Sequence, residues 1–87
     1  MLQHDPLYNE YHDLDRQIRK IDHPLARRDL LRLYSTAKQL ATNLDRELVN
    51  CRRVGHYTTR YTEILSDFTE QLNIVKKYLV FGIMKYN

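Results

Sequence analysis

The longest periodic stretch of the chain runs from residue 24 to residue 55 and reads PLARRDLLRLYSTAKQLATNLDRELVNCRRVG. Apolar side chains recur in it at intervals of four and three residues in turn, which places them on one face of an α-helix. Proline suits the first turn of a helix, and glycine accepts the left-handed conformation that closes one. The stretch therefore predicts a helix over about 24–53. The residues predicted to form its inner face are Leu30, Tyr34, Ala37, Ala41, Leu44, Leu48 and Cys51.

A shorter series of the same kind precedes this helix. Asp5 followed by Pro6 is a start signal, because a carboxylate can accept hydrogen bonds from free amides and proline fits the first helical position. Pro24 pushes the residue before it out of the helical region and so separates the two helices. This pattern predicts a helix over about 6–21. Its inner face consists of Leu7, Tyr11, Leu14, Ile18 and Ile21.

A third series follows Gly55 and predicts a helix over about 58–84, with no stretch that indicates a strand. The connection between the second and third helices is short enough to make them antiparallel. The inner face of the third helix is predicted to consist of Tyr61, Leu65, Phe68, Leu72, Val75 and Leu79.

The predicted fold is all-α, a single domain over residues 1–87. Two long helices form an elongated antiparallel hairpin with coiled-coil-like packing, and the shorter N-terminal helix completes a three-helix bundle. At 1.5 Å per residue the long helices measure about 45 and 40 Å, more than a compact chain of 87 residues would accommodate. The short helix covers only part of the hairpin, so we expect apolar surface to remain exposed and to favour self-association.

Composition narrows the class of protein. The chain has 43% hydrophobic and 29% charged residues, a net charge of +3 and a single cysteine, Cys51. One cysteine cannot form an internal disulfide, and without a Cys/His cluster it indicates a reducing compartment and no zinc site. The N-terminal residues do not resemble a secretory signal, and no apolar run reaches the roughly 18–20 residues that span a bilayer. We therefore expect a cytoplasmic protein with no integral membrane segment.

No pattern in the chain indicates an enzyme. Gly55 and Gly82 stand alone, so a glycine-rich phosphate loop is excluded. None of the four histidines is paired with another at the i, i+4 spacing of a helical metal site. Cys51 occupies an inward position, where a small core residue is the expected role. The sequence predicts no catalytic residue, no metal site and no cofactor.

Basic residues concentrate on the predicted outer face of the second helix, over about 30 Å. One interpretation is a solvated helix face, and the other is a surface for phosphates or an acidic partner. Acidic side chains on the outer face of the third helix would repel phosphates there. The residues proposed for nucleic-acid contact are Arg28, Arg32, Lys38, Arg46 and Arg53.

The turn between the long helices combines basic and aromatic residues. This combination suits protein recognition, because Tyr and Arg are enriched at binding hot spots, and it also suits stacking against bases. A plain solvated turn is the third interpretation. Arg52, Arg53 and Arg60 are expected to orient an acidic protein partner, and Tyr57 is a further predicted partner-binding residue of the turn.

The segment 78–84 is apolar on every side of a helix, so one neighbour cannot cover it. Either the first helix and the start of the second cover it, with Leu7, Tyr8, Tyr11 and Leu25, or it forms an oligomer interface or a docking site for a partner helix. A peripheral membrane contact is a further alternative. The residues expected to anchor a partner are Tyr78, Phe81, Ile83 and Met84.

Together these patterns favour a non-enzymatic regulator or adaptor that binds another protein through helical surfaces and forms homodimers. The alternative function is binding of RNA or DNA by the basic outer face of the second helix.

Overall fold

The computed structural model describes residues 5–86, with side chains described for residues 5–81. It contains three helices, α1 (Pro6–Arg19), α2 (Pro24–Val54) and α3 (Thr59–Tyr86), and the described chain includes no strand. The predicted all-α fold is confirmed. Each helix begins and ends within about two residues of the predicted position, which is the usual uncertainty of helix ends.

The helix ends show why the chain folds into these three segments. The Asp5 carboxylate accepts a hydrogen bond from the Leu7 amide at 2.9 Å, and Nδ1 of His23 accepts one from the Ala26 amide at 3.2 Å. Both residues thereby cap helices that start with proline. At the other end of α2, Gly55 has φ of 83°, and its amide donates to the Cys51 carbonyl at 2.8 Å. Glycine closes α2 because it adopts this left-handed conformation without steric cost.

The two long helices are antiparallel and form the most extensive contact in the molecule. Gln71 of α3 donates from Nε2 to the Leu33 carbonyl of α2 at 3.2 Å, whereas near the turn Arg60 of α3 approaches Glu47. The molecule measures 49 × 20 × 16 Å and has a radius of gyration of 14.5 Å. A compact chain of this length would have a radius of gyration of about 12 Å. The predicted elongated hairpin is therefore present.

Helix α1 has 14 residues against 31 in α2, so it covers only the part of the hairpin far from the turn. It is held there by an aromatic cluster. The rings of Tyr11 and Tyr34 stack with centroids 5.1 Å apart, and Tyr11 also meets Phe68 edge-on at 5.5 Å. The Tyr34 hydroxyl donates to the Tyr11 carbonyl at 2.9 Å. Burial raises the pKa of Tyr34 well above its ordinary value near 10, so this hydroxyl keeps its proton.

The core follows the predicted stripes except near the turn. There Leu48 and Leu65, both predicted inward, are only half-buried, whereas Glu47 and Ile64 are 9% exposed. Glu47 faces the connection to α3 there, because its carboxylate accepts a hydrogen bond from the Thr58 hydroxyl at 2.7 Å. Cys51 is buried, as predicted.

Candidate partner-binding surfaces

Three exposed apolar side chains lie on the last turn of α3 whose side chains are described. We call them the apolar end: Tyr78, Val80 and Phe81. Their exposed fractions are 50%, 57% and 60%, whereas Leu79 between them is 3% exposed. Leu79 continues the inner stripe of Val75, and its neighbours in sequence point away from that stripe at about 100° per residue. The rest of the chain therefore buries Leu79 but does not cover the three side chains of the apolar end.

The surroundings of the apolar end contain lysines and α1. Lys77 lines a shallow groove together with the three apolar side chains. Lys76 forms an ion pair with Glu10, which ties this part of α3 to α1. Of the residues that the covering interpretation named, Leu7 and Tyr11 pack against the core, Tyr8 is half-buried and Leu25 is 54% exposed. The predicted anchors Ile83 and Met84 lie outside the described side chains.

The turn carries a second accessible surface on the opposite end of the hairpin. An open groove of about 560 Å³, which we call the turn groove, lies beside α2 and the connection to α3. Tyr57 is 72% exposed and stacks on Tyr61 with ring centroids 5.0 Å apart. The groove thus combines apolar walls with a basic side chain. Its lining residues are Leu48, Cys51, Arg52, Gly55, His56 and Tyr57.

A buried carboxylate fixes the start of α3. Thr58 donates from its hydroxyl to Glu47 at 2.7 Å and accepts the Tyr61 amide at 3.1 Å. Asn50 donates a further hydrogen bond to Glu47 at 3.2 Å. These two donors lower the pKa of Glu47, so it remains ionised and satisfied. The Thr58 amide in turn donates to the Cys51 sulfur at 3.4 Å.

The contacts of Glu47 and Asn50 separate the arginines of the turn into two groups, those with a partner within the chain and those without. Arg60 lies 3.8 Å from Glu47, and Arg53 donates to Asn50 at 3.2 Å, so both have internal partners. Glu47 and Arg52 are five residues apart, which places them about 140° apart around α2. Arg52 therefore lines the turn groove, whereas Arg60 lies beside Glu47 on a different side of the hairpin.

The two predicted sets of partner-binding residues do not form one surface. Arg60 and Phe81 are 21 residues apart on one helix, which corresponds to about 32 Å along its axis. A single small contact cannot use both the turn and the apolar end. The turn and the apolar end are therefore two separate surfaces.

The five basic residues predicted on the outer face of α2 are all exposed. Arg28 lies 3.7 Å from the neighbouring carboxylate of Asp29. Arg32, Lys38 and Arg46 form no ion pair with any side chain that the structure describes. These five residues therefore give the outer face of α2 a positively charged surface.

Other kinds of site find little support in the described part of the chain. Residues 5–81 bring no three His, Cys, Asp or Glu side chains together as a possible metal site. None of the helices, as far as they are described, is long and apolar enough to cross a membrane.

Comparison with family models, curated proteins and solved structures gives no match.

Proposed function

We propose that this protein is a non-enzymatic regulator or adaptor that acts through protein-protein contacts and associates with a second copy of itself. The observation that carries the proposal is the apolar end, where Tyr78, Val80 and Phe81 are half or more exposed. Adjacent exposed apolar and aromatic side chains on a small protein are typical of protein interfaces. The short α1 leaves them uncovered.

Self-association through the apolar end has a direct test. Replacing Phe81 by serine should shift the solution mass from dimer to monomer, because a central aromatic side chain commonly contributes more than about 1–2 kcal/mol to an interface. Serine and phenylalanine have similar helix propensities, and Phe81 is 60% exposed, so the monomer should stay folded. The measurement is light scattering over a concentration series, with circular dichroism as the check of folding.

Val49→Ser is the matched control for this experiment. Val49 is 65% exposed on α2 and does not belong to the apolar end, so its replacement should leave the mass unchanged. A wild-type chain that is monomeric at every concentration would refute self-association. A Phe81→Ser variant with the dimer mass of the wild type would refute the apolar end as the interface.

The second candidate function is binding of single-stranded nucleic acid. It is favoured by Arg32, Lys38 and Arg46, which are exposed and form no ion pair with a side chain that the structure describes. Three phosphate contacts would give a slope of about −2 in log K against log salt, at about −0.7 per contact. The double variant Arg32→Glu, Arg46→Glu should then lose most affinity for a uridine oligonucleotide in a fluorescence titration. Glutamates at Arg16 and Arg19, two exposed residues of α1, change the net charge equally and should have a smaller effect. No binding by the wild type at low salt would remove this candidate.

A further inference from the structure

The turn groove combines an apolar wall with positive charge, two properties that suit the binding of a peptide. Leu48 and Cys51 form its apolar wall, and the exposed ring of Tyr57 borders it. Tyr57 is held in position by stacking on Tyr61, so little side-chain entropy remains to be lost when a partner binds. A single apolar side chain of a partner could be inserted between these residues.

The charge at the groove selects the partner. Arg52 lines it and is exposed, and His56 lies on the same rim with Nδ1 3.3 Å from the Tyr57 carbonyl. Between residues 48 and 62 the chain contains arginines and no acidic residue. The nearest carboxylate on α2, Glu47, faces the other side and is satisfied by Thr58 and Asn50. Asp45 lies on the same side of α2 as Arg52, seven residues and about 10 Å before it along the axis. Arg52 forms no ion pair with a side chain that the structure describes, so the groove presents positive charge, which complements a negatively charged partner.

We propose that the turn groove binds a short acidic segment of another protein, with one apolar side chain inserted beside Cys51 and Tyr57 and a carboxylate paired with Arg52. This inference rests on the proposed function, since it names a partner class for a protein-binding molecule. Arginine favours such pairing because its planar guanidinium can bind a carboxylate in a bidentate geometry.

A nucleic acid fits the groove less well than a peptide. Binding of a single strand requires several stacking faces and a continuous basic track. Here Tyr57 offers one exposed face, because the other stacks on Tyr61. Beyond the turn, α3 continues with Glu63 and Asp67, both exposed, which would repel the next phosphates.

The test uses a displayed library of random peptides, selected on the whole chain of 87 residues. The expected result is enrichment of peptides in which Asp or Glu flanks a Leu, Ile or Phe. A synthetic peptide of the enriched sequence should bind Arg52→Glu about tenfold or more weakly than the wild type in fluorescence polarisation, because a like charge then faces its carboxylate. Tyr57→Ser should weaken the same peptide similarly.

Lys20→Glu is the matched control. It makes the same charge change on an exposed residue at the C-terminal end of α1, which does not line the turn groove. The control should change the affinity for the peptide by no more than about threefold, because a charge outside the groove acts only through the long-range electrostatic field of the protein. The proposal is overturned by failure to enrich any peptide, by enriched peptides without acidic residues, or by equal losses in Arg52→Glu and Lys20→Glu. Tight binding of a uridine oligonucleotide that Arg52→Glu alone abolishes would also overturn it, in favour of nucleic acid.

The failure of this inference and that of self-association are distinguishable. Arg52→Glu should keep the wild-type mass in light scattering, and Phe81→Ser should keep the peptide affinity of the wild type. A chain that selects acidic peptides as a monomer supports the turn groove and refutes only the dimer. A chain that dimerises through Phe81 and selects no peptide refutes only the turn groove.

Discussion

Replacing Phe68 by alanine is expected to cost about 3–5 kcal/mol of folding free energy, the range found when a buried phenylalanine is truncated. Phe68 is fully buried and contacts the ring of Tyr11, which stacks on Tyr34. Its removal would leave a cavity where all three helices meet. A domain of 87 residues is stabilised by only about 5–10 kcal/mol, so the variant should be close to unfolding.

Urea denaturation followed by circular dichroism measures this effect. With a slope of about 1–1.5 kcal/mol/M, the midpoint should fall by roughly 2 M or more. Val49→Ala serves as control, because Val49 is 65% exposed and its truncation should change stability by no more than about 0.5 kcal/mol. An unchanged midpoint for Phe68→Ala would show that the three helices do not share this core.

Thr58→Ala should destabilise the turn through two losses at once. The amide of Tyr61 loses its capping acceptor, which alone costs about 0.5–2 kcal/mol. Glu47 also loses its shortest hydrogen bond, the one at 2.7 Å. Thr58→Ser keeps the hydroxyl and should retain most of the stability in the same urea experiment. Equal destabilisation of both variants would mean that the methyl group, and not the hydroxyl, stabilises the turn.

The pH dependence of stability provides an independent check of the same contact. Hydrogen bonds from Thr58 and Asn50 lower the pKa of Glu47 below its ordinary value near 4.5. The ionised carboxylate therefore stabilises the folded chain fully above that value, and the contribution is lost as the pH falls through the lower pKa of the folded state. Thr58→Ala should lose less stability than the wild type over this acidic range.

The helices were predictable because local chemistry determines them. Pro6, Pro24 and Gly55 mark their ends, and apolar spacings of three and four residues define their inner faces. Their lengths exceed what a compact molecule allows, which predicted the elongated hairpin. Only the details near the turn differ, where Glu47 takes the inward place expected for Leu48.

The surfaces were less predictable, because they depend on which side of a helix remains uncovered. The apolar run 78–84 could not show that Leu79 is buried while Tyr78 and Phe81 are exposed. Nor did the cluster of arginines at the turn reveal that Arg60 lies beside Glu47. The signal that would have indicated the Glu47–Thr58 contact was Glu47 beside the predicted inward position of Leu48, with Thr58 11 residues later at the end of the connecting turn.

The location of the apolar end and the turn groove at opposite ends of a 49 Å rod has a consequence for valency. Two copies joined through Phe81 would keep both grooves open, so that one particle would be bivalent. Bivalent attachment raises the apparent affinity for clustered targets through effective concentration, without any new contact. A weak individual site would then be sufficient for durable cross-linking.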